Sequence, residues 1–210
     1  MLEPASVLPE TIYEQLRALI VAQTYGPGAS ITESAVALRF GVARPTAKMA
    51  IERLVTEGLL RRELHQSARV PQLDAHDITD LFDNRAVVES AAVAALTVVP
   101  AAAMTAHRAL LASNDDFAQN DIAFHRALVA GQPSPRLARM HALLMGEIEL
   151  CIGQVQAAHL LTAAQVGEQH QGILNAITAG DSAAAARLTR EHIAGSRDRL
   201  LSHHREKFHG

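Results

Sequence analysis

The chain has 210 residues, 49% hydrophobic and 20% charged, with a formal net charge of −3. That composition supports packed cores and excludes extensive disorder. Its single cysteine excludes an intrachain disulfide, and its most apolar stretch, Val87 to Met104, is interrupted by Glu89, Ser90 and Pro100, which excludes a bilayer span.

A cytoplasmic protein with no membrane partner is therefore expected. Two Tyr, five Phe and no Trp in an alanine- and leucine-rich chain favour helices over sheet. The charge is unevenly spread. Residues 1–70 carry 8 basic and 7 acidic side chains, residues 71–210 carry 11 and 15, and the window 39–69 alone has 7 against 3. That local excess is a modest electrostatic footprint for nucleic acid.

The chain divides near Pro71, into a 1–71 domain of short elements and a 72–210 domain of long helices. Pro9 opens a first helix through Ile12, Leu16, Leu19 and Ile20, which Tyr25-Gly-Pro-Gly28 stops. Thr32 caps a second over Ser34–Phe40. Gly41-Val42 makes a tight break, and a third helix follows from Arg44 to Glu57, with Pro45 in its first turn and Gly58 at its end. Leu59–Arg62 and Ala68–Val70 read as two short strands around His65-Gln66-Ser67. Three helices plus a hairpin, with a tight turn between the second and third, predict a winged helix-turn-helix.

The second part reads as an all-α, six-helix antiparallel bundle. Its helices run from the Asp74 cap to Val98, from Pro100 to Ser113, over Asp115–Ala130, and from the Gly131–Pro135 loop to Ala158. A Thr162/Gln165 capping box starts the fifth, which ends at Gly180, and Asp181 caps the sixth, to His204.

The N-terminal residues of the second helix of a helix-turn-helix face the major groove, so Arg44, Pro45, Thr46 and Lys48 are the expected DNA readers, Arg44 through a bidentate contact to guanine. Ser34 and Arg69 complete the set, and Arg61 and Arg62 flank the wing. Ordinary surface charge on a small helical domain is the alternative, and the order of elements argues against it.

A second constellation lies in the bundle. Asp121 and His125 share the apolar face of Phe117, Phe124 and Leu128, one turn apart. His170 lies in the stripe of Val166, Ile173, Leu174 and Ile177, and His192 follows Leu188 by one turn. His170 is ten residues before Gly180 and His192 eleven after Asp181, so in an antiparallel hairpin each sits about 15 Å from the turn. One carboxylate and three imidazoles would then converge inside the bundle. Burying them is costly unless they are satisfied, and a divalent transition metal satisfies all four. The set suits zinc first, with nickel, manganese, iron or cobalt also compatible.

Ile31 to Leu60, with the preceding Gly26-Pro27-Gly28 turn, resembles the signature of the GntR family of bacterial regulators, most specifically in Gly41-Val42, Arg44, Arg53-Leu54 and Glu57-Gly58-Leu59. The chain departs from the family pattern at Ala43, at Pro45-Thr46, at Lys48 and at the glycine-free wing tip Gln66-Ser67-Ala68, which implies a divergent operator. The second part resembles the FCD ligand-binding domain of the FadR subfamily in Asp121-x-x-Phe124-His125, Glu168-x-His170, Gly180-Asp181 and His192. Six helices rather than seven point to the shorter, VanR-like branch. The resemblance carries metal ligands onto Asp121, His125, His170 and His192, and implies a homodimer on palindromic operator DNA that answers to a small carboxylate effector. Arg85 and Glu89, matching the family's Arg-x-x-x-Glu on an inward stripe, are the expected effector-binding residues; a structural ion pair is the alternative.

The resulting expectation is a DNA-binding repressor and not an enzyme, with a metal-dependent hydrolase or a metal sensor using the His₃Asp set as alternatives. His107, His141 and His159 read as surface or interface residues, His203, His204 and His209 as a solvated tail, and Cys151 as a small core residue.

Overall fold

The computed structural model describes residues 9–113 and 116–209, with side chains from residue 10 to 206. The expected helix start at Asp115 and the His209 side chain lie outside them. Packing divides the chain into two compact units, Met1–Gln72 and Leu73–Gly210.

In the first unit α1 (Pro9–Val21) and α2 (Glu33–Phe40) both pack on α3 (Arg44–Thr56). The apolar spacing of α1 buries Ile12, Leu16 and Ile20 completely, alongside Ile51 and Leu54 of α3. Thr32 caps α2 by accepting from the Ala35 amide at 3.2 Å. Gly41 closes α2 at φ +65, a conformation an L side chain resists, and so permits the abrupt turn into α3. Tyr13 Oη donates to Glu57 Oε2 at 2.5 Å, and the Arg53 guanidinium lies 3.6 Å over the Tyr13 ring, tying α1 to the end of α3.

The small sheet differs from expectation. β1 (Ser30–Ile31) pairs antiparallel with β2 (Ala68–Arg69), in register Ser30 to Arg69 and Ile31 to Ala68. The expected strand at 59–62 reduces to one bridge, in which Arg61 and Arg69 exchange two bonds of 2.8 Å. The reason is local: Leu60 N–H returns to Leu54 O in the turn that ends α3, and Leu59 and Leu60 both go into the core, which two successive residues of a strand with one face to solvent cannot do. β1 escaped notice because two residues carry no periodicity. At the wing tip His65 takes φ +63, the left-handed conformation for which a glycine is better suited.

The second unit holds six helices among the described residues: α4 (Ala75–Ala94), α5 (Ala101–Leu111), α6 (Ala118–Ala130), α7 (Pro135–Ala157), α8 (Ala163–Thr178) and α9 (Ser182–His209). The fold is therefore a helical helix-turn-helix unit followed by a helical bundle. The capping boxes at Asp74/Asp77 and Thr162/Gln165 are both formed, and Asp181 Oδ1 accepts from the Ala184 amide. α4 ends short of Val98 because the Ala95 and Leu96 amides already close back on Ala92 and Val93. α6 starts at Ala118, whose amide donates to Gln156 Oε1 at 2.6 Å. An aliphatic core of Val93, Ala106, Leu128, Leu174 and Ile177 with Phe124 joins α4, α5, α6 and α8.

Candidate metal centre

Two consecutive turns of α6 aim Asp121 and His125 inward, α8 contributes His170 and α9 contributes His192, all four buried. One ligand atom from each lies within 4.8 Å of all the others. Asp121 Oδ1 is 3.0 Å from His170 Nε2, 3.6 Å from His125 Nε2 and 4.0 Å from His192 Nε2. His125 Nε2 and His192 Nε2 are 3.1 Å apart. Donor atoms about 2.1 Å from one tetrahedral ion stand about 3.4 Å from each other, so the set fits a first-row divalent ion. Asp121 Oδ1 and His170 Nε2 are buried and lack an aligned hydrogen-bond partner among the described residues, the condition an ion relieves.

Each ligand is held differently. His125 Nδ1 lies 2.6 Å from Glu89 Oε2, and His192 Nδ1 lies 2.7 Å from Gln169 Oε1. His170 stacks on Phe124 with centroids 3.8 Å apart and planes 11° off parallel. Burial pushes His170 down to about 4 and His192 well below the ordinary imidazole value, so both keep neutral rings. Burial also opposes charge on His125, but Glu89 and Asp121 outweigh it and raise its affinity for a proton. For Asp121 burial favours the neutral acid, and the His125 and His170 imidazoles overcome it, holding the carboxyl well below its usual range.

Arg85 and Glu89 are both 1% exposed and form an ion pair at 2.8 Å. Glu89 is fully engaged: Oε1 also meets His141 Nε2 at 3.0 Å, and Oε2 meets His125. Against the penalty of burial, Arg85 and His125 keep it ionised. Arg85 Nη2 is buried and has no partner among the described residues. A cavity of about 10 Å³, room for one water, touches Asp121 and His192 and is otherwise lined mainly by Phe82, Phe117, Ile152 and Leu161.

Two histidines correct the sequence reading. His107 and His141 are buried, not on the surface; His107 bonds to Gln171 Oε1 at 3.0 Å. Their periodicity carried the signal, because His107 shares a face with Ala103 and Leu110, and His141 with Met145 and Ile148. Gln169 was missed because it precedes His170 on a polar edge of α8. His159 is exposed, and the buried Cys151 thiol is pushed up to about 12 by desolvation, so it is an inert core residue.

In the first unit Arg44, Pro45 and Lys48 are exposed at the start of α3 and Thr46 is half-buried. Arg44 and Lys48 stand one turn apart, and Lys48 Nζ reaches Glu52 Oε1 at 3.6 Å across solvent. Ala43 gives α3 no side-chain cap. Ser34 is exposed in the first turn of α2, and Arg69 Nη1 donates to Gly28 O at 3.2 Å.

The chain matches the family model for bacterial regulatory proteins of the gntR family over residues 8–70 and the FCD domain model over residues 80–195. It is 27% identical over 197 residues to a probable D-xylose utilization operon transcriptional repressor of Paenarthrobacter nicotinovorans, covering 88% of this chain and 86% of that one. It is 32% identical to the HTH-type transcriptional regulator YdhC of Bacillus subtilis over 81 residues, 39% of this chain and 36% of that protein. A putative GntR transcriptional regulator from Rhodococcus sp. RHA1 superposes with a TM-score of 0.74 at 25% identity, covering 92% of this chain and 97% of that one. The hydrolase alternative falls with these matches, since they are to regulators and not to enzymes. The chain belongs to the GntR family of transcription regulators and carries an FCD ligand-binding domain.

Proposed function

We propose that this protein is a cytoplasmic operator-binding repressor of the FadR subfamily, in its VanR-like branch, released or retained by a small carboxylate effector that binds beside a divalent metal. The observation that carries the reading is the convergence of four buried ligand groups, Asp121, His125, His170 and His192, from three helices. Zinc suits three imidazoles and a carboxylate best, with nickel, manganese, iron or cobalt as alternatives. When bound, such an ion supplies a Lewis-acidic point for an effector carboxylate. Arg85 contributes its unpartnered Nη2 as a second anchor for an anionic oxygen, and Glu89 balances the arginine's charge.

The 10 Å³ cavity is too small for a carboxylate larger than a water-sized group, so Phe82, Phe117 or Leu161 must swing aside on binding. That requirement ties ligand entry to a change in helix packing. An effector that favours one packing shifts the population of the state competent for DNA. On the DNA side, Arg44 and Lys48 approach base edges and phosphates from the start of α3, Pro45 and Thr46 shape that turn, and Ser34 and Arg69 contact backbone. A homodimer presents two such helices to a palindromic operator.

The test is fluorescence anisotropy of the purified protein on its own upstream DNA at low salt, with a panel of carboxylates and D-xylose added. Saturable binding that a carboxylate alters is expected. Failure to bind that DNA under any addition would sink the repressor reading, and release by zinc alone would point to a metal sensor instead.

A further inference from the structure

We propose that Gln169 and Glu89 are positioning residues that lock the tautomers of His192 and His125, turning the Nε2 lone pair of each ring toward Asp121. This inference rests on the metal reading above for its consequence, but not for its geometry. A neutral imidazole has one N–H and one lone pair, and a hydrogen bond at one nitrogen decides which atom keeps the lone pair. His192 Nδ1 sits 2.7 Å from Gln169 Oε1, and an amide oxygen can only accept. The proton is therefore on Nδ1, and Nε2 faces the cluster. His125 Nδ1 sits 2.6 Å from Glu89 Oε2, an ion-pair contact without aligned hydrogen-bond geometry, and a carboxylate also only accepts. The same assignment follows.

The supports around these two acceptors differ in kind. Glu89 is itself fixed by Arg85 and His141, so three groups from α4, α6 and α7 meet on one carboxylate. Gln169 is half-buried and adjacent in sequence to His170, so one turn of α8 provides a ligand and the orienter of a ligand on α9. Among the described residues His170 has no such acceptor: its Nδ1 lacks a partner, and the Phe124 face sets its plane. Outward acceptors on two of three imidazoles leave the site assembled before an ion arrives. Orienting partners of this kind typically alter metal affinity 10- to 100-fold, roughly.

The experiment uses the full-length protein, stripped of metal, with ¹⁵N-labelled histidine. In the parent protein the nitrogen spectrum should place the His192 proton on Nδ1. Gln169→Leu should lose that assignment and weaken zinc affinity on the order of 10-fold or more in a chelator competition. Gln169→Glu, which keeps an acceptor at the same place, should restore both. Glu89→Gln makes the parallel test for His125; if it fails to fold, the Gln169 pair still decides. An unchanged His192 tautomer in Gln169→Leu, or full zinc affinity there, overturns the proposal. Were the parent protein to bind neither zinc nor cobalt, the metal reading would fall, and the tautomer spectrum alone would decide this one.

Discussion

His125 Nε2 and His192 Nε2 lie 3.1 Å apart in the interior of the bundle. Both rings turn their outer nitrogen toward an acceptor, Glu89 for one and Gln169 for the other. Two lone pairs repel at that distance, and a cation between them relieves the repulsion. Glu89 and Asp121, standing beside His125, raise its affinity for a proton. Proton and metal compete for one place.

The metal-free protein should lose stability as acid is added. His170 titrates near 4 in the fold and near 6.5 when unfolded, so between those values the unfolded chain binds more protons. Its contribution is complete above pH 6.5 and declines as pH falls toward 4, by about 3 kcal/mol in all. His192, also depressed, acts in the same direction. His125 is raised, so its stabilising charge is present throughout this window and is lost only at higher pH. Asp121 and Glu89, both depressed, extend the loss below about pH 4. Urea denaturation at pH 7, 5.5 and 4.5 in chelator measures it; a flat profile contradicts the burial argument.

Zinc returned to stripped protein should raise its melting temperature. At a hundredfold excess over Kd the gain is about 2.7 kcal/mol, several degrees for a chain of this size. Asp121→Ala and His170→Ala should show no such rise and hold less than about a tenth of an ion per chain by mass spectrometry, because each removes one of only four ligands.

Glu89→Ala should be among the most damaging single changes, at about 3–5 kcal/mol, because it strands the Arg85 guanidinium in the core. The double change Arg85→Met with Glu89→Met should recover much of that loss, since no charge is left uncompensated. Thermal denaturation of the three proteins separates the two costs.

Gly131→Ala should also destabilise, by about 1–3 kcal/mol. Gly131 has an ordinary helical φ of −74, so its backbone does not require glycine. A Cβ there, however, would stand 2.3 Å from Pro100 Cγ, and a proline ring cannot swing away. If the variant melts with the parent protein, the turn between α6 and α7 is looser than its packing indicates.

On operator DNA, Arg44→Ala should cost about 1–3 kcal/mol and relax the preference at one base pair per half-site. Lys48→Ala should weaken all sequences alike and flatten the salt dependence by about one phosphate per subunit. Binding isotherms over a salt series on intact and singly changed operators distinguish these roles.

Much of the architecture is legible in the sequence. Helix starts followed from caps that act within three residues, as at Thr32, Asp74 and Thr162, and inward faces followed from the 3.6-residue period. Even the meeting of His170 and His192, ring centroids 4.9 Å apart, follows from equal distances to one tight turn. The same period marks His107 and His141 as inward, although without it both read as surface or interface residues.

Local rules reach no further than about a turn of helix, and several features of the centre depend on longer ones. That His141 of α7 meets Glu89 of α4, and Gln169 of α8 meets His192 of α9, depends on the rotation and height of packed helices, which no spacing within one helix specifies. The pairing of Ser30 with Arg69 likewise joins residues far apart in the chain through two-residue strands. The four clustered groups themselves, Asp121, His125, His170 and His192, were written in the sequence. The tertiary structure decided which nitrogens face one another, because that is set by the acceptors standing behind each ring.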